Sequence, residues 1–194
     1  MEVMMATIRL LGISGSLRKD SFNTALLRAA QELATDGMSI DVADISGLPL
    51  YNEDVRAQGF SPPAETLRKQ IREADALLIA TPEYNYSIPG VLKNAIDWAS
   101  RPPEQPFDGK IVGILGASPG RLGTARAQYH LRQCFIFLNA TLLNKPEVMV
   151  GGAASVFKDG ALVDAPTRQF VADLLSALAA AVERQRLVAK HTSK

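Results

Sequence analysis

The 194-residue chain has a single cysteine, Cys134, so no disulfide can form within it and a cysteine-rich zinc site is excluded. No metal site is expected from such a chain, and the scarcity fits a reducing compartment. The first apolar run, Ile8 to Ile13, is interrupted by Arg9 and is too short for a signal-peptide core or a membrane span. Neither sign of charge dominates. The formal net charge is +1, which leaves no whole-chain field to draw in nucleic acid or an anionic membrane. Internal repeats, low-complexity segments and interdomain linkers are missing too. The densest proline stretch, Arg101 to Phe107, is short enough for a surface loop. What remains is an ordinary globular balance, 47% hydrophobic and 21% charged residues, over a length suited to one domain spanning residues 1–194. These features describe a soluble, cytoplasmic protein. Its basic end, from Arg184 to Lys194, is expected to fray.

Strand and helix patterns alternate along the chain. Ile8–Ile13, Ser39–Ala43, Ala76–Ala80 and Ile111–Leu115 read as strands, and a last strand falls within Thr141–Val150. Between them, Asn23–Ala34, Ala64–Glu73, Pro89–Ser100 and Thr124–Leu138 read as helices, and Thr167–Val188 closes the chain. Ser87 is the expected N-cap of the helix at Pro89. Apolar strands alternating with helices imply an α/β fold with a parallel sheet covered on both faces. Five strands suggest the flavodoxin-like order 2-1-3-4-5, in which ligands bind beyond the carboxyl ends of the strands.

Three strand-end loops carry the unusual chemistry. The first, Ser14 to Thr24, holds Ser16, Arg18, Lys19, Ser21, Asn23 and Thr24 and runs into a helix N-terminus. Backbone N–H groups, hydroxyls and a guanidinium there suit a phosphate. The alternative is a polar loop with Ser21 as an ordinary cap. Walker A spacing and the G-x-G-x-x-G fingerprint are both absent, which favours a phosphate monoester over a pyrophosphate. The loop after the third strand, Thr81 to Gly90, is stiffened by Pro82 and Pro89 and carries Glu83, Tyr84, Asn85 and Tyr86. It could wall a planar ring, or equally be a rigid turn whose tyrosines cover the core. The loop after the fourth strand, Gly116 to Gly123, permits close backbone approach, and its amides around Ser118 to Gly120 could face negative charge on a ring edge. Helix Val91–Ser100 bears an apolar stripe, and the next helix adds a mixed face of Arg126, Tyr129, Gln133 and Phe137. That second face suits subunit packing or plain solvation. Cys134 falls on the apolar helix face and reads as core.

The motifs Gly15-Ser16-Leu17-Arg18 with Ser21 and Asn23, Thr81 to Ser87, Leu92-Lys93-Asn94-Ala95-Ile96-Asp97-Trp98, Ala125 to Gln133 and Asn144-Lys145-Pro146-Glu147 resemble the NADPH-dependent FMN reductase family, which includes bacterial chromate and quinone reductases. The resemblance runs from about Ile8 to Val150. It implies non-covalent FMN, NAD(P)H as hydride donor, and quinones, azo or nitro compounds, chromate or free flavin as acceptors, with donor and acceptor taking turns in ping-pong fashion. It further implies that Ser16, Arg18, Ser21 and Asn23 hold the phosphate, and Phe22 and Thr24 beside them are expected among the cofactor-binding residues. Pro82, Glu83, Tyr84 and Asn85 would line the ring, beside Ser118 and Gly120. Pro119 departs from the small residues usual at its position. No side chain is assigned a catalytic role, since the flavin carries the chemistry. Glu83 reads as a structural loop acid and His130 as a surface or interface residue. Dimers or tetramers are implied, with Arg126, Tyr129 and Glu147 as polar interface partners. The main rival is a flavodoxin-type electron carrier or a flavin-binding regulatory module. Carriers are usually strongly acidic, which this chain is not. A phosphoacceptor receiver domain is disfavoured because Thr81-Pro82-Glu83 stands where it needs an aspartate. The choice between NADH and NADPH stays open.

Overall fold

The computed structural model describes residues 7–192. Strand β1 (Ile8–Ser14) leads through helix α1 (Phe22–Leu33) to β2 (Met38–Ala43). A short helix α2 (Glu53–Arg56) and α3 (Pro62–Glu73) precede β3 (Ala76–Ala80). Helix α4 (Gly90–Ala99), β4 (Ile111–Ala117) and α5 (Ala125–Phe137) follow. The strand order is β2-β1-β3-β4, all parallel, with the fifth position beside β4. The expected 2-1-3-4-5 order is therefore observed.

The fifth position is not one strand. It is filled by β5 (Thr141–Leu142) and then β6 (Val148–Val150), both parallel to β4. Residues 143–147 stand opposite only Gly113 and Ile114 and leave the ladder. Pro146 in that stretch has no N–H to give a neighbouring strand. Arg132 of α5 holds the excursion through the Leu143 carbonyl at 2.9 Å and Asn144 Oδ1 at 3.2 Å.

Burial on both sheet faces explains the unbroken apolar strands. β3 and β4 are buried at every position. Successive β3 side chains alternate between two cores, as period-2 geometry requires. Leu78 packs with Leu26 of α1 and with Leu174 and Leu178 of the closing helix α7 (Ala165–Thr192). Leu77 and Ile79 pack with Leu67 and Ile71 of α3, Leu92 and Ile96 of α4, and Leu131 and Phe135 of α5. Cys134 is only half-buried, on the margin of that second core, and burial pushes its thiol up.

Two further expectations change. Pro89, not Ser87, occupies the N-cap of α4. Ser87 is used closing the preceding turn, so the chain passes Ile88 and Pro89 before the helix begins. The basic end does not fray before Thr192. α7 continues to that residue, and Gln185 donates to the Gly109 carbonyl at 2.9 Å while Arg186 pairs with Asp75 at 3.0 Å. A small hairpin that no reading of the sequence anticipated joins β7 (Phe157–Lys158) to β8 (Ala161–Leu162), after the short helix α6 (Ala153–Val156). No helix among the described residues is long and apolar enough to cross a membrane.

Arg68 of α3 is a buried cation without a carboxylate partner among the described residues. Its guanidinium donates to the carbonyls of Ala99 (2.7 Å), Arg101 (2.6 Å) and Pro103 (2.5 Å), and lies 4.0 Å from the Phe60 ring centroid. It thereby holds the 99–104 loop against α3. Arg68→Met leaves those carbonyls without a donor and is expected to cost about 2 kcal/mol. A urea melt checks this, and an unchanged midpoint would rule out the clamp.

Candidate functional site

The roots of the three loops are fixed by hydrogen bonds that carry the sheet one step further. Gly15 N–H donates to the Ala80 carbonyl (2.7 Å), Thr81 N–H to that of Leu115 (3.0 Å), and Ser118 N–H to that of Val150 (3.0 Å). Three chain segments from distant parts of the sequence therefore leave the sheet side by side.

In the first loop, Ser21 Oγ accepts the N–H groups of Asn23 (3.2 Å) and Thr24 (3.5 Å), which caps α1. Thr24 Oγ1 lies 2.8 Å from Ser14 Oγ. Asn23 is buried and makes a reciprocal pair with Ala117: its amide donates to the carbonyl at 3.0 Å and its Oδ1 accepts the N–H at 2.9 Å. Asn23 and Thr24 thus tie the loop to the sheet. Ser16 and the exposed Arg18 face the opening. No carboxylate among the described residues pairs with Arg18, whose guanidinium lies 5.6 Å from the Phe22 ring centroid. A cation left without a counter-ion at a helix N-terminus favours an incoming anion.

The second loop is a tight turn. Tyr84 N–H donates to the Ser87 carbonyl at 3.1 Å, and Ser87 N–H returns the bond at 2.9 Å. Asn85 and Tyr86 between them have φ of 49° and 65°. Left-handed backbone at both central positions is the type I′ arrangement. Asn tolerates it; Tyr does so only under constraint. The constraint is the Arg126 guanidinium, 3.5 Å from the Tyr86 ring centroid. Glu83, whose side chain is 5% exposed, accepts the N–H groups of Arg126 (3.0 Å) and Ala127 (3.1 Å), as well as Arg126 Nε (2.6 Å) and Nη2. These bonds raise the pKa of the Arg126 guanidinium. Thr124 stands at the N-cap of α5 without a side-chain cap bond, so Glu83 caps that helix from another loop. His130 Nδ1 lies 3.0 Å from Ser87 Oγ and fastens the turn at a second point.

The third loop corrects one expectation. The sequence expectation is that its amides around Ser118 to Gly120 face a ring edge. Ser118 N–H is instead committed to Val150, Pro119 has none, and Gly120 N–H donates to Ser118 Oγ at 3.1 Å. The loop is held against the 150–153 segment, where Gly152 N–H donates to the Gly120 carbonyl and Ala153 N–H to that of Ser118.

Together the loops enclose a cleft of about 290 Å³. Ser16, Arg18, Ser21, Phe22 and Asn23 line it from the first loop. Pro82, Glu83 and Tyr84 line it from the second, and Ser118 from the third. Thr24 does not reach it, while Asn85 and Gly120 line a neighbouring cavity of about 360 Å³ that shares Glu83 and Ser118. Ala117, the last residue of β4, and Pro119, two residues beyond it, also line the cleft; neither is among the sequence-assigned site residues, and their place at a strand end was the available signal. Of the residues assigned to an interface, Arg126 is engaged with Glu83 and Tyr86 of its own chain, and Tyr129 donates to Glu147 at 3.1 Å.

The donor set suits a flavin nucleotide. Arg18 and Ser16 offer charge and hydroxyl at one end, beside the N-terminus of α1. Phe22, Pro82, Tyr84, Ala117 and Pro119 offer flat or apolar surface on which a conjugated ring can lie.

A family model described as NADPH-dependent FMN reductase matches residues 8–155. An NAD(P)H-dependent FMN reductase of Pseudomonas aeruginosa is 61% identical over 184 residues, covering 94% of this chain and 100% of that protein. A quinone reductase of Escherichia coli is 43% identical over 189 residues, covering 95% and 100%. The solved structure of the flavoenzyme NAD(P)H:(acceptor) oxidoreductase FerB from Paracoccus denitrificans superposes with a TM-score of 0.84 at 34% identity, covering 92% of this chain and 98% of that one.

Proposed function

This chain belongs to the NADPH-dependent FMN reductase family, and on that premise we propose that it takes hydride from NAD(P)H on a bound FMN and passes the electrons to quinones, in the cytoplasm. The observation that carries this reading is the cleft itself: three strand-end loops meet around it, and the cation at its rim has no carboxylate partner among the described residues. Arg18 and Ser16, with the N-terminus of α1, hold the phosphate. Pro82, Tyr84 and Pro119 flank the ring, and Ser118 offers its hydroxyl at the ring's edge. When bound, the flavin supplies the two-electron chemistry. The protein's part is to orient that group and keep one side reachable. Tyr84, 54% exposed, stands at the rim, where nicotinamide and acceptor enter in turn. The same opening then serves both half-reactions, and the kinetics are ping-pong.

Steady NAD(P)H oxidation with a simple benzoquinone and no partner protein tests the reading, with parallel double-reciprocal plots as the expected pattern. A protein that binds FMN but turns over only with an added redox protein would be an electron carrier instead.

The oligomeric state belongs to the same proposal. On α5, Ile136 is 73% exposed and Phe137 90%, an apolar patch at the end of a helix whose other side is buried in the core. We read this as the meeting surface of a homodimer or homotetramer, with Arg126, Tyr129 and Glu147 at its polar margin. Sedimentation at micromolar concentration is expected to give a dimer or larger, and Phe137→Asp to shift it toward monomer. Monomer alone for the parent protein would count against the assembly.

A further inference from the structure

We infer that the second cavity, the one of about 360 Å³ beside the cleft, takes a phosphate group of the nicotinamide dinucleotide, and that Arg121 is the side chain that pairs with it. This rests on the proposed hydride donor and adds where the rest of that donor lies.

Position comes first. The two cavities share Glu83 and Ser118, so a dinucleotide whose ring meets the flavin at the mouth of the first can place an anionic portion in the second. Charge comes second. The lining of the second cavity holds Arg121, Arg126 and a single carboxylate, Glu83. Glu83 is already matched by Arg126, through Nε at 2.6 Å and a second contact at Nη2. Arg121 has no ion pair among the described residues and is exposed. The cavity therefore keeps one uncompensated positive charge. The N-terminus of α5 does not supply the attraction, because Glu83 takes the N–H groups of Arg126 and Ala127. The anion must be read by the arginine side chain.

Rigidity is the third point. A Cβ on Gly151 would lie 2.4 Å from the Arg121 carbonyl oxygen, and one on Gly123 would lie 2.8 Å from the Met149 carbonyl carbon. The turn bearing Arg121 is pressed against the 149–152 segment with no room between, and Gly152 N–H donates to the Gly120 carbonyl at 3.2 Å. The backbone of Arg121 is already fixed, so a phosphate that arrives has only the side chain left to order. Arg18, which lines the first cavity and not the second, is left for the phosphate of FMN.

The test uses the FMN-loaded protein and the oxidised dinucleotides NAD⁺ and NADP⁺, whose binding is read by calorimetry. KM for NADH and NADPH is measured in parallel. Arg121→Ala is expected to weaken dinucleotide binding and raise KM by about tenfold, as loss of a charged hydrogen bond does. Arg121→Lys is expected to recover part of it. A loss confined to NADP⁺ and NADPH assigns the contact to the 2′-phosphate, and an equal loss for both pairs assigns it to the shared pyrophosphate. KM values within about twofold of the parent's for both donors would overturn the inference. FMN affinity, followed by flavin fluorescence, separates the two claims. A parent protein that ignores FMN removes the flavin reading, whereas FMN binding with donor KM indifferent to residue 121 removes only this one.

Discussion

Gly116→Ala is expected to lower stability by about 3 kcal/mol and to open the site, although it adds a single methyl group. That methyl would lie 2.1 Å from Thr124 Oγ1 and 2.3 Å from the carbonyl oxygen of Thr81. The first neighbour is a side chain that is itself fully buried. The second is backbone, held in place by the Thr81 N–H bond to Leu115. Neither can step aside without separating the loop after β3 from the loop after β4. Close packing carries such strain outward. For a chain of this length the melting temperature is expected to fall by about 9 °C, and FMN affinity is expected to fall with it. A thermal melt and a flavin titration on the same preparation check both. A melt within about 2 °C of the parent's would mean that the two loops can part at little cost.

Arg18→Ala is expected to act the other way, on the ligand and not on the fold. The guanidinium is exposed and has no ion pair among the described residues, and it lies 5.6 Å from the Phe22 ring centroid. Removing it breaks no ion pair among the described residues, so the melt of the flavin-free protein should hardly move. A charge-assisted hydrogen bond to phosphate contributes about 2 kcal/mol, which corresponds to roughly 30-fold in affinity. The dissociation constant for FMN should rise by about that factor, and the loss should shrink at high salt as the attraction is screened. An unchanged constant would remove Arg18 from the phosphate site.

Much of the architecture is written in local patterns. Ala76 to Ala80 is apolar at every position because helices cover both faces of β3, and such a run has few other uses in a chain of this composition. The site loops were legible for a related reason: hydroxyls, prolines, tyrosines and two arginines, Arg18 and Arg121, stand directly after strand ends, where nothing in the core needs them. What could not be read was pairing across distance. Glu83 caps a helix 43 residues further on, and neither residue's neighbours announce it. The amides of Ser118 and Gly120 looked free until Val150 and the Ser118 hydroxyl were seen to occupy them. Ser87 resembled an N-cap, but its backbone was claimed by the turn with Tyr84. Other misses had signals that were present. Asp159-Gly160, with φ of 50° and 79°, is a two-residue hairpin turn of a kind that sequence reveals. Pro146 within the expected last strand was a reason to expect a break there. The basic tail stays helical in part because Arg186 pairs with Asp75, a partner far away in the sequence.

The account's central claim is that the loops after β1, β3 and β4 together hold one FMN with its phosphate at Arg18. The most direct measurement is a fluorescence titration of flavin-free protein with FMN, run beside the same titration with riboflavin. Sub-micromolar quenching at one FMN per chain, and markedly weaker binding of riboflavin, is the predicted result. Equal affinity for the two flavins, or no quenching by FMN, would contradict it.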